Sequence, residues 1–390
     1  MVVRQASLGP GEPLDADFEQ VLLALAQQDH PRLKCLFLLV GPAGVDHGQL
    51  PDRIRSIVPS AFVRALDGNS DFGAAANEAA RLVQGNGFFC FLHDDVALEP
   101  NVISVLAEEL AQSNAGIVGP KLVEWDAPDL LQSVGLSVDR FGETDSFVEP
   151  GEVDQGQHDG VRDVFAVPSA CLMIRADLFT EVGGFDPVIE YSGDDVDLCW
   201  RAHLAGARVL VVANVRARHR GTLWVRRPDL HIPGLAARAR MRSVATLTGG
   251  ARLFWVVPQL LLLTLAEAVV GALTGRVRDA LVSVRSLVGM VPRTGGYLAR
   301  RRRLAPLRHV PDAEVASLQA RGSARLVGYL RTRERSGDAE EGNERRWRQS
   351  AGGARLLALA SLFALVALGS RAVLSGGLPG VGQIVPFPSS

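Results

Sequence analysis

Apolar and polar positions alternate in blocks over roughly the first 240 residues, where short apolar runs follow stretches of helical periodicity. The acidic, glycine-rich tract 141–163 interrupts this alternation and predicts a flexible loop. Alternating units of this kind bury a mostly parallel, Rossmann-like sheet between helices, so the pattern predicts an α/β fold. The predicted strands are 35–40, 88–92, 115–119, 164–175 and 207–213, and helical patterns at 17–28, 74–83 and 102–112 precede the first three.

Two long apolar segments follow the alternating region. Residues 253–275 and 355–374 are each long enough to cross a bilayer, which takes about 20 residues. Arginines on both sides of the first segment, with Pro258 and Glu267 inside it, favour a helix that lies in the membrane interface or re-enters it. The alternative is that both segments are buried helices of a soluble domain.

The membrane interpretation predicts a domain order and a location. A globular domain at 1–245 would face the cytoplasm at the cell membrane. It would be followed by interfacial or re-entrant helices at 246–295, a charged cytosolic linker at 296–350, a transmembrane helix at 351–376 and an extracytoplasmic tail at 377–390.

Composition narrows the class of protein only slightly. The formal net charge is −2, so the overall field argues neither for nor against nucleic acid, and no nucleic-acid partner is expected. The four cysteines lack CxxC spacing, which favours free thiols in a reducing compartment over a metal site or disulfides. Residues 1–20 contain no apolar core of a signal peptide.

The first candidate chemistry stands directly after a predicted strand, in HDDV at 93–96. Ligands of open α/β sheets bind at the carboxyl ends of the strands, which is where Asp94 and Asp95 are expected. Two adjacent carboxylates repel each other, and Mg²⁺ or Mn²⁺ would relieve that repulsion and bridge a diphosphate. The alternative is that Asp95 caps the helix that follows.

A second acidic cluster stands in GDDVDLCWR at 193–201, where Gly193 and three aspartates predict a helix start. Asp194, Asp195 and Asp197 exceed what capping requires, although acids at a helix start are ordinary. One predicted strand later, His219 lies between two arginines. It could complete a metal site, meet a phosphate or be purely structural.

The order of these motifs resembles the family-2 glycosyltransferases of the GT-A fold, especially the rhamnosyltransferase-like branch, over roughly residues 15–245. The resemblance rests on NSDFGAAAN (69–77), HDDV (93–96), GPKLVEWDAPDLLQSVG (119–135), SACLMIRADLFTEVGGFD (169–186), GDDVDLCWR (193–201) and His219. It implies a GT-A glycosyltransferase domain at 1–245 with a nucleotide-diphosphate sugar as donor.

The resemblance also implies roles for individual residues. Asp95 matches the metal-binding aspartate and His219 the histidine that completes the metal site, while Asp94 shares metal binding because His93 stands where the first acid is often found. Asp195 matches the general base, and Asp194 stands at the acid that precedes it. The implied donor contacts are Asn69, Asn77, Asp94 and Arg218.

Three elements depart from the family pattern and leave alternatives open. MVVRQAS is at best a shortened first strand, VGPAGVD replaces the usual nucleotide-contacting segment, and Asp71 replaces a glycine. The expected function is a metal-dependent inverting transfer, of hexosyl or rhamnosyl type, from a nucleotide sugar to a lipid-linked or cell-envelope glycan. The alternatives are a catalytically silent GT-A-like domain that acts as a binding or assembly module, and a nucleotidyltransferase on a related fold.

Overall fold

The structure is a computed structural model that describes residues 1–273 and 293–320, apart from 4–8, 10, 11, 42, 43, 67, 69, 84 and 86. The chain divides into two compact units. The first comprises Met1–Leu261 and Arg285–Gly328, and the second comprises Leu262–Val284 and Tyr329–Ser390. The predicted helix 351–376 and tail 377–390 lie outside the described residues.

The described residues form eleven α-helices and twelve strands. The helices are α1 Ala16–Ala26, α2 Leu50–Ile57, α3 Phe72–Leu82, α4 Val102–Gln112, α5 Ala176–Glu181, α6 Asp194–Leu204, α7 Leu223–Arg226, α8 Ile232–Leu247, α9 Gly250–Leu273, α10 Thr294–Leu304 and α11 Asp312–Ser317. The strands are β1 Val2–Val3, β2 Leu36–Val40, β3 Phe62–Leu66, β4 Phe88–Leu92, β5 Val96–Leu98, β6 Ala115–Glu124, β7 Leu131–Ser133, β8 Leu136–Val138, β9 Thr144–Ser146, β10 Val161–Asp163, β11 Cys171–Arg175 and β12 Arg208–His219.

The central sheet is mixed, so the prediction of a mostly parallel sheet is wrong. Strands β1, β2 and β3 pair in parallel, as do β6 and β12, but β11 lies antiparallel between β4 and β6. A parallel bridge between Val2 and His93 joins the two groups of strands. The reversal arises because β6 and β11 are connected by the short strands β7–β10, whereas a parallel pairing needs a crossover connection.

The core follows from the alternation of side chains along the strands. Phe37 and Leu39 of β2 face the cluster that contains helices α1, α2 and α4, whereas Leu38 and Val40 face α3. Each of these four side chains is at most 3% exposed. Burying one such side chain stabilises the fold by about 1.5–3 kcal/mol, so both faces of the sheet stabilise the strand ends.

Several predicted boundaries shift for local reasons. Predicted strand 164–175 forms β11 only at Cys171–Arg175, because Phe165 and Ala166 donate backbone hydrogen bonds to Leu136 instead. The tract 141–163 is not an unpaired loop: it contains β9 and β10, and buried Lys121 binds Asp154 and Asp159 at 2.8 and 2.6 Å. The four cysteines are free thiols, and MVVRQAS does contribute the short strand β1.

Helix α9 contains most of the first predicted membrane segment, and Pro258 lies inside it. Among the residues that the structure describes, no helix combines the length and apolar character that a membrane crossing requires. The first part of the predicted linker 296–350 is helical, since α10 and α11 lie there.

Helix α10 and the residues that follow it pack onto α8 in the first unit through arginines that bind backbone carbonyls. Arg301 donates to Ala245 and Thr248 at 2.8 and 2.7 Å, and Arg308 donates to Leu247 at 2.6 Å. The last carbonyls of a helix have no partner within it, so these arginines satisfy the end of α8.

A buried ionic cluster joins α6 to α8 and α10. Asp197, which is 0% exposed, accepts hydrogen bonds from Arg201 at 2.8 Å and from Arg300 at 2.8 and 2.9 Å. Arg300 and Arg242 also bind Asp186 at 2.9 and 2.7 Å. Burial opposes ionisation of Asp197, but Arg201 and Arg300 outweigh it and lower the pKa of Asp197.

Arg300→Leu should destabilise the fold, because it leaves two buried carboxylates with less compensating charge. We expect the free energy of unfolding to fall by about 2–4 kcal/mol, with Arg201 still compensating part of the charge on Asp197. Chemical denaturation measures this. Arg302→Leu, at an exposed position of the same helix, is the matched control and should change stability by less than about 0.5 kcal/mol. Equal losses in both variants would contradict the role of Arg300.

Candidate active site

A group of metal-ligand side chains forms where β4 ends and β12 ends. Strand β5 pairs with β12 so that Val96 lies opposite His219, which places Asp95 beside that histidine. Asp95 Oδ1 lies 3.6 Å from His219 Nε2 and 4.0 Å from His93 Nδ1. One ligand atom from each of the three residues lies within 4.8 Å of the others. The pairing of β5 with the end of β12 therefore assembles a three-residue candidate metal site.

Two neighbouring residues orient these ligands. Asp95 Oδ2 accepts hydrogen bonds from Thr222 N at 2.8 Å and Thr222 Oγ1 at 2.7 Å, so Oδ1 is the oxygen that faces the histidines. His219 Nδ1 lies 2.7 Å from Gln132 Oε1, while the Gln132 amide nitrogen lies 3.4 Å from the His219 carbonyl. If Nδ1 donates to Gln132, the lone pair of Nε2 is left for a cation.

Electrostatics favour the ligand forms of Asp95 and His219. Burial opposes ionisation of Asp95, but His219, His93 and the two Thr222 hydrogen bonds outweigh it and lower the pKa of Asp95. Burial lowers the pKa of His219 despite the nearby Asp95. At neutral pH the pair is therefore a carboxylate beside a neutral imidazole, which are the protonation states that bind metals.

The second acidic pair lies in the first turn of α6. Gly193 precedes it with φ of 84°, a conformation that favours glycine. Ser169 donates from its backbone N to Asp195 Oδ2 at 3.3 Å and from its hydroxyl to Asp194 Oδ1 at 3.5 Å. Burial and the adjacent Asp195 raise the pKa of Asp194 to about 7, and burial also raises the pKa of Asp195. Asp194 can therefore hold a proton near neutral pH, and a raised pKa makes Asp195 a stronger base than an ordinary aspartate.

Residues 169–170 connect the acidic pair to the metal-ligand group. While Ser169 binds the two aspartates, the carbonyl of Ala170 accepts a hydrogen bond from His93 N at 3.0 Å. The ring of Phe72 lies 4.5 Å from the ring of His93, and Phe72 directly follows Asp71, whose charge contributes to the raised pKa of Asp194. The structure thus brings Asp95, His219, Asp194 and Asp195 into one neighbourhood.

Asp94 has a different environment from Asp95. Its Oδ1 accepts a hydrogen bond from Arg226 Nη1 at 2.8 Å, and it is not among the three clustered ligands. His93 occupies the third ligand position instead. The metal role of Asp94 stays a prediction. In the sequence, the position of His93 at the start of the HDDV motif was the feature that could have identified it as a metal ligand.

Of the remaining predicted donor contacts, Asn77 and Arg218 have partners outside the metal-ligand group, and Asn69 lies outside the described residues. Asn77 binds the backbone of Phe185 through both amide atoms at 2.8 Å, and a Cβ on Gly184 would lie 2.3 Å from the Asn77 oxygen. Arg218 points to the opposite face of β12 from His219, because side chains alternate along a strand, and it stacks on Trp125.

Sequence reasoning did not identify Gln132, Thr222, Ser169 or Arg226 as site residues. Each acts through a contact that spans at least 25 residues of chain, so no local spacing signals it. Gln132 and Ser169 do lie inside the quoted motif segments, at 119–135 and 169–186, but those segments alone do not show which side chain points toward the site.

The loop before α6 carries one unusual backbone conformation. Tyr191 has φ of 61°, which is uncommon for a residue other than glycine. Its hydroxyl accepts a hydrogen bond from Arg227 Nη1 at 2.8 Å, and the guanidinium lies 5.2 Å from the ring centroid. This contact ties residues just after β12 to the loop that precedes Asp194.

Comparisons with known proteins point to one family. The family model described as "Glycosyltransferase like family 2" matches residues 15–246, more than half of the chain. The pre-mycofactocin glycosyltransferase of Mycobacterium tuberculosis is 29% identical over 299 residues, which cover 69% of this chain and 61% of that protein. The chain therefore spans less than two thirds of the length of that relative.

Solved structures with related folds are more distant. S. aureus TarS 1–349 in complex with UDP is 16% identical, with a TM-score of 0.44 over 81% of this chain and 90% of that one. GalNAc-T7 with UDP, GalNAc and Mn²⁺ is 12% identical, with a TM-score of 0.45 over 57% of this chain and 44% of that one.

Asp194→Asn should stabilise the fold increasingly as the pH rises. The folded-state pKa of Asp194 is about 7, above that of an unfolded aspartate, so the wild-type chain loses stability as the pH rises from the unfolded to the folded pKa. The asparagine variant lacks this loss, and its melting temperature relative to wild type should rise by about 2–4 °C between pH 5 and pH 8. The exposed Asp177→Asn should show no such gain. A difference that does not change with pH would contradict the raised pKa.

Proposed function

The chain belongs to the glycosyltransferase-like family 2, and we propose that it is a metal-dependent inverting glycosyltransferase that uses a nucleotide-sugar donor. The α/β GT-A-like fold with its mixed sheet supports this proposal. The main support is that the metal-ligand group around Asp95 and His219 lies close to the Asp194–Asp195 pair. Ser169 and Ala170 connect the two through hydrogen bonds.

The proposed cation site consists of His93, Asp95 and His219. Two imidazole nitrogens with one carboxylate oxygen suit Mn²⁺ better than Mg²⁺, which prefers oxygen ligands. A bound divalent cation would supply positive charge to the diphosphate as it leaves. Thr222 and Gln132 would hold two of the ligands in their binding orientation.

The proposed base is Asp195, which is partly exposed while Asp194 is buried. An acceptor hydroxyl would give its proton to Asp195 as its oxygen forms a bond to the anomeric carbon. The bond from that carbon to the diphosphate oxygen breaks on the opposite face, and its electron pair leaves with the nucleoside diphosphate. Ser169 would hold the carboxylate of Asp195 in place through its backbone N–H.

The acceptor is proposed to be a lipid-linked or cell-envelope glycan, reached from the cytosolic face of the cell membrane. Phe254 and Trp255 on α9 support this part, since they are 72% and 66% exposed and large aromatic side chains of this kind are common at membrane interfaces. The transferred sugar is proposed to be of hexosyl or rhamnosyl type.

The alternative function is a catalytically silent domain that binds a partner or substrate. The departures from the family pattern at MVVRQAS and at VGPAGVD, which replaces the usual nucleotide-contacting segment, favour it. Under this alternative the chain would not consume a nucleotide-sugar donor, even in the presence of Mn²⁺.

Asp195→Asn should separate binding from catalysis. A panel of nucleotide sugars is first ranked by the Mn²⁺-dependent rise in melting temperature of the wild-type chain. With the best donor, Asp195→Asn should keep that rise and slow donor turnover about 10²–10⁴-fold, because it removes the proton acceptor. Glu190→Gln, a nearby exposed change, is the control and should retain turnover. An active Asp195→Asn would rule out Asp195 as the base, and an inactive wild type with normal donor binding would favour the silent domain.

A further inference from the structure

The segment after β12 folds back onto both aspartates of the first acidic motif. Thr222 immediately precedes the four-residue helix α7, and Arg226 is its last residue. Thr222 binds Asp95 through two hydrogen bonds, and Arg226 binds Asp94 at 2.8 Å. One turn of helix therefore delivers a guanidinium to the carboxylate adjacent to the candidate metal ligand.

The guanidinium groups of the other arginines near the end of β12 have partners away from this site. Arg218 and Arg220 both lie over Trp125, and Arg220 also binds Asp17. Arg227 binds Asp229 and Tyr191. Arg216 binds Glu99 at 2.9 Å. The guanidinium of Arg226, by contrast, binds the side chain of Asp94 in the acidic motif that begins at His93.

The net charge at the site, with a divalent cation bound, favours the binding of an anion. Arg226 and Asp94 neutralise each other, while a divalent cation on Asp95 leaves a net positive charge. Burial disfavours the charged guanidinium, but Asp94 and Asp95 outweigh this effect and raise the pKa of Arg226, so it stays charged. A diphosphate carries more negative charge than this surplus and gains more as it leaves, which requires a further cation.

We propose that Arg226 is a binding residue for the diphosphate of the donor, and that it exchanges Asp94 for the phosphate oxygens when the donor binds. This inference rests on the proposed function. The Arg226 side chain is 33% exposed, so its guanidinium is accessible to an incoming anion while it is paired with Asp94. The planar guanidinium donates two parallel hydrogen bonds to phosphate as readily as to carboxylate. Arg227, the residue after Arg226, is held by its hydrogen bond to Tyr191. The exchange therefore requires movement of the Arg226 side chain only.

Binding of pyrophosphate tests this inference without any knowledge of the sugar. Isothermal titration of the full chain with pyrophosphate, in the presence of Mn²⁺, gives the dissociation constant for the anion. Electron paramagnetic resonance titration with Mn²⁺ alone gives the affinity for the cation. Arg226→Gln should weaken pyrophosphate binding about ten- to a hundredfold and change Mn²⁺ affinity by less than about twofold, because it removes charged hydrogen bonds to the anion only.

Arg208→Gln is the matched control, since it removes the same charge at the start of β12, where Arg208 pairs with Asp163. It should leave pyrophosphate binding unchanged. Arg226→Lys should recover part of the affinity, because it restores the charge but lacks the planar pair of donors. Asp94→Asn should tighten pyrophosphate binding, because it removes the carboxylate that competes for Arg226.

The outcomes separate this inference from the proposed function. Pyrophosphate binding that is unaffected by Arg226→Gln, or equally weakened by Arg208→Gln, overturns the role of Arg226, as does a wild-type chain that binds no pyrophosphate. Weaker binding by Asp94→Asn overturns the exchange. If wild type binds pyrophosphate equally well without Mn²⁺, the metal proposal fails, while a loss in Arg226→Gln still supports the arginine.

Discussion

The candidate site depends on the compensation of one buried charge. Asp197 has no exposed surface, and an uncompensated carboxylate at that position would be strongly unfavourable. Arg201 from the same helix and Arg300 from α10 neutralise it, and Arg300 also binds Asp186 in the turn before α6. Helix α6 is thereby held in one rotation about its axis. Successive helix residues differ by 100°, so this rotation determines which acids face the site.

This constraint gives the three aspartates of α6 different environments. Asp197 carries its charge against two arginines, whereas Asp194 is buried beside Asp195 and has its pKa raised to about 7. Asp195 keeps partial contact with solvent. One short acidic motif therefore supplies a structural anchor, a proton-sharing neighbour and a candidate base. Arg300 lies outside the matched family range 15–246, so residues beyond that range help to position the base.

Local sequence signals predicted the parts of the site that follow strand ends and helix starts. Asp95 stands at the end of an apolar run and Asp194 and Asp195 follow a glycine, and both patterns constrain the backbone directly. The direction of β11 and the partner of Asn77 had no such signal, because they depend on contacts between distant segments. Arg218 and His219 are neighbours on β12, so their side chains lie on opposite faces of the sheet, and the sequence alone does not show which of the two faces the metal-ligand group.

The central claim is that His93, Asp95 and His219 bind one divalent cation next to the Asp194–Asp195 pair. Electron spin-echo envelope modulation of the Mn²⁺-loaded protein tests it most directly, because the method detects nitrogen atoms bound to the ion. We expect nitrogen couplings from two imidazoles, with one lost in His93→Ala and the other lost in His219→Ala. A spectrum without nitrogen coupling, or one that neither substitution changes, would contradict it.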